Sequence, residues 1–167
     1  MTSALKRLSD RWGSAPDYPN TVVEAKSLDW VETELNVKLP DDYRDQVLEI
    51  GLPRIRLVLL SAIVDNVLPL YDLWALLTPE EIIVETEDWR HIGMPNDLVV
   101  FGRDSLGNKF CFSNKDIATS VPSANVSFWD HDFQATTVIA TSFTSLLNDY
   151  TNVGTRNLWQ KTFGGHY

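Results

Sequence analysis

The chain has 167 residues, of which 44% are hydrophobic and 22% are charged, as is typical of a folded globular domain. This composition excludes global disorder, and the single cysteine, Cys111, excludes an intrachain disulfide framework. The N-terminus lacks the uninterrupted apolar segment of a signal peptide, and the longest apolar region, residues 57–77, contains acidic residues that do not suit a membrane span. We therefore expect a cytoplasmic protein without a membrane-spanning segment.

The net charge of −9 is unevenly distributed along the chain. Residues 21–90 hold 15 acids and 6 bases. An acidic surface repels nucleic acids and anionic membranes and attracts basic partners. We therefore expect neither a nucleic acid nor a membrane as a partner. The alternative interpretation is a solvated surface that aids solubility.

The first twenty residues are predicted to form an N-terminal arm that ends in a turn with two prolines. A helix is predicted over residues 21–36, because Thr21 and Glu24 have the spacing of a capping box. Its apolar positions recur at helical spacing and are Leu28, Val31 and Leu35.

A second helix is predicted over residues 41–50. Either of its first two residues, both aspartates, can cap its free amides, and Gly51 can take the left-handed conformation that ends a helix. Residues 54–64 are apolar and rich in β-branched side chains, so a strand is predicted, with a buried helix as the alternative. A further extended segment is predicted over residues 67–73.

A third helix is predicted from Thr78 to Trp89, because a threonine cap is followed by Pro79 and two acids. Two strands over residues 97–101 and 109–113 are predicted to be joined by a turn that contains Gly107. Another strand is predicted over residues 125–129.

The last predicted helix covers residues 143–150 and follows Thr141 and Ser142, either of which can cap it. Residues 151–167 are predicted to be a C-terminal tail that partly docks on the domain through Leu158, Trp159 and Phe163. The order of elements favours an α+β fold, a single domain with helices packed around a twisted, mainly antiparallel β-sheet.

Three segments carry a family resemblance. The first is the acidic helix 28–35 with Leu39-Pro40-Asp41-Asp42-Tyr43 and the glycine exit at Gly51. The second is the strand, Gly-polar turn and strand of residues 98–112, and the third is a strand with a polar aromatic turn, residues 126–132, followed by a Ser-Phe helix start. In this order, over residues 22–150, the segments resemble the SUKH superfamily, whose members include a domain of a yeast cell-wall-assembly regulator and many bacterial immunity proteins.

The resemblance implies a domain over residues 21–150 that has no catalytic centre and works by binding proteins. Bacterial members similar to this chain often lie beside a toxin and neutralise it. The expected function is therefore an immunity protein, whose partner is a cognate protein toxin; a basic nuclease-type domain would favour an acidic inhibitor. The alternative is a non-enzymatic regulatory scaffold of the same fold. The chain departs from many relatives at residues 51–77, where they have a loop rich in glycine or asparagine.

The residues that resemble catalytic or metal-binding patterns have simpler interpretations. Cys111 lies between two phenylalanines on a predicted strand, which is typical of an unreactive buried cysteine. Asp130-His131-Asp132 is interpreted as a polar turn, because adjacent strand residues point to opposite faces and a metal site needs further ligands. Residues 102–109 lack the order of a phosphate loop, so a hairpin turn is predicted. We expect no enzymatic activity, no metal and no cofactor.

The partner-binding residues are predicted on and beside the third helix. Its acids attract a basic partner, and aromatic and arginine side chains next to them are typical of interface hot spots. The alternative interpretation is a solvated helix, with the tryptophan packed in the core. The predicted residues are Glu80, Glu81, Glu85, Glu87, Asp88, Trp89 and Arg90.

Overall fold

A computed structural model of the protein describes residues 2–113, 115 and 119–153. The predicted docking of the C-terminal tail through Leu158, Trp159 and Phe163 therefore lies outside the described residues. In the described part of the chain, the helices are α1 (Ala4–Trp12), α2 (Ala25–Leu35), α3 (Asp41–Ile50), α4 (Leu57–Asp65), α5 (Pro79–His91) and α6 (Phe143–Thr151). The strands are β1 (Ala75–Leu76), β2 (Leu98–Arg103), β3 (Lys109–Ser113), β4 (Val126–Asp130) and β5 (Ala135–Ala140).

The five strands form one antiparallel sheet in which each strand pairs with the next along the chain. The predicted α+β class with an antiparallel sheet is confirmed. Gly107 lies in the turn between β2 and β3 with a φ of +88°, which is the left-handed region where glycine is favoured. This confirms the predicted hairpin. The end strands are β1 and β5, so each has one edge without a neighbouring strand among the described residues.

An aromatic cluster joins the sheet to α3 and α6. Phe101 of β2 stacks on Phe112 of β3 with ring centroids 4.2 Å apart. Tyr43 of α3 meets Phe112 and Phe143 edge-on at 5.3 and 5.1 Å. Edge-to-face and offset-stacked pairs are favourable beyond the area that they bury. The cluster therefore fixes two helices against the centre of the sheet.

Helix α1 lies within the segment that was predicted as an N-terminal arm. The hydroxyl of Ser3 accepts a hydrogen bond from the Lys6 amide and so caps the helix. Leu5 and Leu8 are fully buried, and Trp12 Nε1 donates to the carbonyl of Tyr150 at 2.9 Å. The helix packs against α3 and α6, so its apolar side belongs to the core.

The predicted start of the first long helix at Thr21 is wrong, because α2 begins at Ala25. Thr21 instead exchanges two backbone hydrogen bonds with Leu52, of 2.9 and 2.8 Å. This pairing engages the Thr21 amide that a capping box with Glu24 would use. The predicted end is confirmed, since Asn36 takes a left-handed conformation with a φ of 52°.

The predicted range of α3 is confirmed, but the predicted aspartate cap is wrong. Pro40 occupies the cap position, and no side chain of the described residues caps the helix. Asp42 instead accepts hydrogen bonds from the amide and hydroxyl of Thr144, at 3.1 and 3.0 Å, and so ties α3 to α6. Gly51 ends the helix, as predicted, with a φ of +80°, but its ψ of −166° lies outside the left-handed helical conformation that was expected.

The predicted strand over residues 54–64 is wrong, and its alternative, a helix, is what the structure contains. Only Leu59 and Ile63 of α4 are buried, a spacing of i, i+4 on one helix face. The β-branched residues favoured a strand, but tertiary packing overrides this weak preference. Residues 67–73, all within the described part of the chain, contain no strand, and β1 follows them.

The other local predictions are confirmed within a few residues: α5 has the predicted threonine cap, and β2, β3, β4 and α6 lie where expected. Strand β5 was not predicted, although Ala135–Ala140 is rich in β-branched residues. Among the described residues, no helix combines the length and the hydrophobicity that crossing a membrane requires.

Candidate functional site

Most of the acidic side chains lie on three connected helices. Helix α2 carries three acids and one base, α3 four and one, and α5 five and one. Helices α2 and α5 pack together, and Arg44 of α3 binds Asp29 and Glu32 of α2 at 2.9 and 2.8 Å. We call the exposed acids of these helices the acidic helix surface; they are Asp29, Glu34, Asp41, Asp45, Glu49, Glu80, Glu87 and Asp88.

The seven residues predicted to bind a partner are brought onto or beside this surface, but they divide into two groups. Glu80, Glu87 and Asp88 are exposed and lie on the same side of α5 as the exposed Val84. Their carboxylates are free to act on an approaching molecule. The other four residues, Glu81, Glu85, Trp89 and Arg90, contact other parts of the fold.

Glu81 and Glu85 are occupied by neighbouring groups. Glu81 accepts a hydrogen bond from the Thr78 amide at 3.1 Å, and its own amide donates to the Thr78 hydroxyl, which completes a capping box. Glu85 accepts from Arg103 at 3.0 Å and from Lys109 at 3.3 Å. The Lys109 side chain is only 4% exposed, so Glu85 supplies the negative charge that its burial requires.

Trp89 and Arg90 tie the end of α5 to the sheet. The Trp89 ring meets Trp129 edge-on at 5.4 Å, and the Lys109 ammonium lies 5.2 Å from its centroid. Arg90 donates to the carbonyl of Leu98 at 3.0 Å, and burial lowers the pKa of its guanidinium. Both side chains are half-buried and have structural contacts.

Trp30 is a surface residue that was not among the predicted partner-binding residues. It projects from α2 and is 45% exposed, with the exposed acids Asp29 and Glu34 on the same helix. An exposed tryptophan beside charged residues is characteristic of protein-binding surfaces. The helical periodicity of the sequence predicts that Trp30 lies at the flank of the apolar stripe of α2. Periodicity alone does not predict how much of the ring is exposed.

The residues considered for chemistry have structural surroundings. Cys111 is fully buried on β3, and burial raises the pKa of its thiol, which disfavours the reactive thiolate. His131 Nδ1 lies 2.7 Å from the Asn108 side-chain oxygen. Within residues 2–113, 115 and 119–153, no cluster of three or more His, Cys, Asp or Glu could hold a metal ion. Asp104 accepts from the amides of Leu106 and Asn108 and so stabilises the hairpin turn.

A second surface feature is a groove on the free side of β1. It consists of two adjoining depressions of about 410 and 470 Å³, which we call the edge groove. Distant parts of the chain meet here, so linear motifs gave no indication of it. The residues that line both depressions are Tyr18, Arg54, Ile55, Trp74 and Ala75.

Comparison with known proteins identifies the family of the chain. No curated protein matches the chain. A family model, described as the SMI1 / KNR4 family (SUKH-1), matches residues 23–149, which run from just before α2 into α6 and contain all five strands. The match covers more than half of the chain, and the chain therefore belongs to the SMI1 / KNR4 family (SUKH-1).

Proposed function

We propose that this chain is an immunity protein, which binds and neutralises a cognate toxin of a bacterial polymorphic-toxin or contact- or secretion-dependent antagonism system and so protects the producing cell. Membership of the SUKH-1 family supports a role in protein binding. The observation that carries the proposal is the acidic helix surface, because its exposed carboxylates suit a basic partner such as the substrate groove of a nuclease-type toxin.

The exposed acids would act before contact is made. A field of one sign accelerates the encounter with a partner of the opposite sign and sets its orientation. Trp30 of α2 and Val84 of α5 are exposed apolar side chains on the packed helix pair, so they can enter contacts once water is displaced. Binding that covers the toxin's active site or its substrate path would inhibit the toxin without a cofactor.

The direct test is co-expression with the toxin encoded beside this gene. The proposal expects the toxin alone to arrest growth, the pair to permit growth, and the purified proteins to form a complex by titration calorimetry. Unrelieved toxicity together with no measurable complex would overturn it. A gene neighbourhood without a large secreted protein with a variable C-terminal domain would favour the alternative, a regulatory scaffold.

The acidic helix surface is tested by reversing exposed acids whose side chains form no hydrogen bond or ion pair with the described residues. A triple variant with Glu80→Lys, Glu87→Lys and Asp88→Lys should associate roughly tenfold more slowly with a basic toxin at low salt. Glu81 is left intact, because it belongs to the capping box of α5.

The matched control reverses three exposed acids outside the three helices, Asp17→Lys, Asp65→Lys and Asp132→Lys, which changes the net charge equally. Equal slowing by both triple variants would mean that only total charge matters. No slowing by either would place the interface elsewhere.

A further inference from the structure

The free edge of β1 forms one wall of the edge groove. Leu77 donates a backbone hydrogen bond to the carbonyl of Phe101 at 2.9 Å, and Leu76 is in register with Gly102 of β2. Leu76 and Gly102 are therefore an antiparallel pair without direct hydrogen bonds between them, and the amide and carbonyl of Leu76 are directed to the side of β1 away from β2. That side faces the groove, where Trp74, Ala75 and Leu76 form part of the lining.

The other wall of the groove is also extended backbone. Arg56 donates to the carbonyl of Trp12 at 2.8 Å, and Ser14 donates to the carbonyl of Arg54 at 2.9 Å. This pattern makes Gly13 and Ile55 an antiparallel bridge without direct hydrogen bonds between them, so the Ile55 amide and carbonyl point away from Gly13. The edge groove therefore lies between two extended segments, and within the described part of the chain each leaves backbone groups without a strand partner on the groove side.

The side chains around the groove combine aromatic surface with positive charge. Tyr18 is 56% exposed and Trp74 45% exposed, and the Arg54 guanidinium lies 4.5 Å from the Tyr18 ring centroid. Arg56 is held by a hydrogen bond from its guanidinium to the carbonyl of Arg11, at 2.7 Å. Among the described residues, the lining of the larger depression includes two arginines and no acid. The lining of the smaller depression includes Glu81, whose carboxylate accepts the hydrogen bond from the Thr78 amide.

We propose that the edge groove binds an extended peptide segment of a protein partner, which adds to the sheet alongside β1 and places an acidic side chain against Arg54 and Arg56. Main-chain hydrogen bonds to an exposed sheet edge are a general mode of peptide recognition, with side-chain pockets providing the specificity. The aromatic walls receive the apolar side chains of the segment. This surface is separate from the acidic helix surface, and its ligand has the opposite charge.

The edge groove could also accommodate two other ligands, which experiments can distinguish from the peptide of a partner. One is a second copy of the chain, paired through the free edge of β1. The other is the chain's own C-terminal segment, but residues 154–167 contain two bases and no acid, so Arg54 and Arg56 disfavour it.

The test uses the full chain and a phage-displayed library of random dodecapeptides. We expect enrichment of peptides in which apolar residues alternate with positions that include Asp or Glu. An enriched peptide, synthesised and added to the isotope-labelled protein, should shift the amide resonances of Ile55 and Leu76 most. Failure to enrich any peptide, or largest shifts on α2 and α5, would overturn the proposal.

The charge requirement is measured with Arg54→Glu and Arg56→Glu combined, which should weaken peptide binding by at least roughly tenfold. The control combines Lys26→Glu and Lys38→Glu, exposed bases outside the groove lining, with the same change of net charge and an expected change in affinity of less than about twofold. Trp74→Ala tests the aromatic wall, and circular dichroism confirms that each variant is folded. Equal affinity of the two charge variants would contradict the proposal.

Light scattering and one tail variant examine the competing occupants. If the wild type is a dimer and the combined Arg54→Glu and Arg56→Glu variant is a monomer, the groove binds a second copy of the chain. Trp159→Ala that raises peptide affinity more than tenfold would assign it to the chain's own tail. Either result would overturn the peptide proposal. Toxin binding that survives the arginine variants would leave the proposed immunity function intact, so the two ideas can fail separately.

Discussion

The acidic helix surface and the edge groove are two different kinds of recognition surface on one small domain. The first consists of exposed carboxylates on stable helices and acts over a distance set by salt screening. The second consists of backbone edges, two aromatic rings and two arginines, and acts only in contact. Charge at the first surface would therefore govern the rate of association, whereas geometry at the second would govern the rate of dissociation.

The two regions meet at the start of α5. Thr78 and Glu81 both line the edge groove and together form the capping box of the helix that carries three of the exposed acids. Only Leu77 separates Thr78 from β1, and Leu77 is itself bonded to β2. Substitutions at and near this junction therefore show whether the two regions depend on each other.

The largest effect is expected from Phe101→Ala, because both regions rest on the same aromatic cluster. Phe101 is fully buried and contacts Tyr43, Phe112 and Phe143. The free energy of unfolding should fall by roughly 3–5 kcal/mol in denaturant titrations. Hydrogen exchange should accelerate in α5 and in β1 together; acceleration of only one would show that the two regions are stabilised independently. The control, Phe133→Ala, removes an exposed ring and should change stability little.

A smaller effect on stability than that of Phe101→Ala is expected from neutralising an acid of α5 that contacts the rest of the fold, and a still smaller one from neutralising an exposed acid. Glu85→Gln removes the negative charge beside the buried Lys109 and should lower the free energy of unfolding by about 2 kcal/mol. Glu87→Gln removes an exposed charge and should leave stability unchanged. Thermal unfolding of both variants measures the difference. Equal losses would mean that Glu85 belongs with the exposed acids and not with the core.

The junction of the two regions is tested by Thr78→Ala. Loss of the cap hydrogen bond should cost about 1 kcal/mol of stability, and Thr78→Ser should restore most of it. The informative measurement is peptide binding to the edge groove by both variants. If the alanine variant binds as the wild type does, the groove is independent of the start of α5; if it binds more weakly and serine rescues binding, the cap positions both surfaces.

The smallest effect concerns Asp42, which is not among the residues that line the edge groove. Burial raises the pKa of its carboxyl, although hydrogen bonds from Thr144 oppose the shift. Since the folded pKa lies above the unfolded value, the contribution of this group to stability is fully present below the unfolded pKa, near 3.8, and is lost as the pH rises through the folded pKa. Asp42→Asn should remove this dependence.

The measurement compares urea midpoints of wild type and Asp42→Asn at pH 4 and pH 7. The stability of the wild type relative to the variant should be greater at pH 4 than at pH 7, and at pH 7 the two proteins should associate through the acidic helix surface at rates within about twofold of each other. If the stability of the wild type relative to the variant instead increases as the pH rises, the hydrogen bonds from Thr144 affect the pKa of Asp42 more than burial does.

Elements with complete local chemistry could be predicted from the sequence. Thr78, Pro79 and the acids after them predict α5, and Gly107 predicts the hairpin, because caps and turns depend on a few adjacent residues. The prediction at Thr21 failed although its spacing was suitable, because the Thr21 backbone pairs with Leu52, a residue far along the chain. Helix α4 shows the same limit, since burial of Leu59 and Ile63 and not β-propensity decides its conformation.

The candidate surfaces were predictable to different degrees for the same reason. The acidic character of α5 is visible in the sequence, but the roles of Glu81 and Glu85 depend on Thr78, Arg103 and Lys109 and emerge only in three dimensions. The edge groove was not predicted, because no motif connects Tyr18 with Trp74. Residues assembled from distant parts of a chain have no periodicity that a sequence pattern can detect.

The buried thiol of Cys111 makes the protein a reporter of its own unfolding. The side chain is fully inaccessible on β3, between β2 and β4, so a thiol reagent can reach it only when the centre of the sheet opens. The rate of labelling in the native buffer would therefore record how often each molecule visits an open state, without an added probe. For the same reason, a disulfide-linked dimer found in a preparation would identify molecules that had lost their fold before they met.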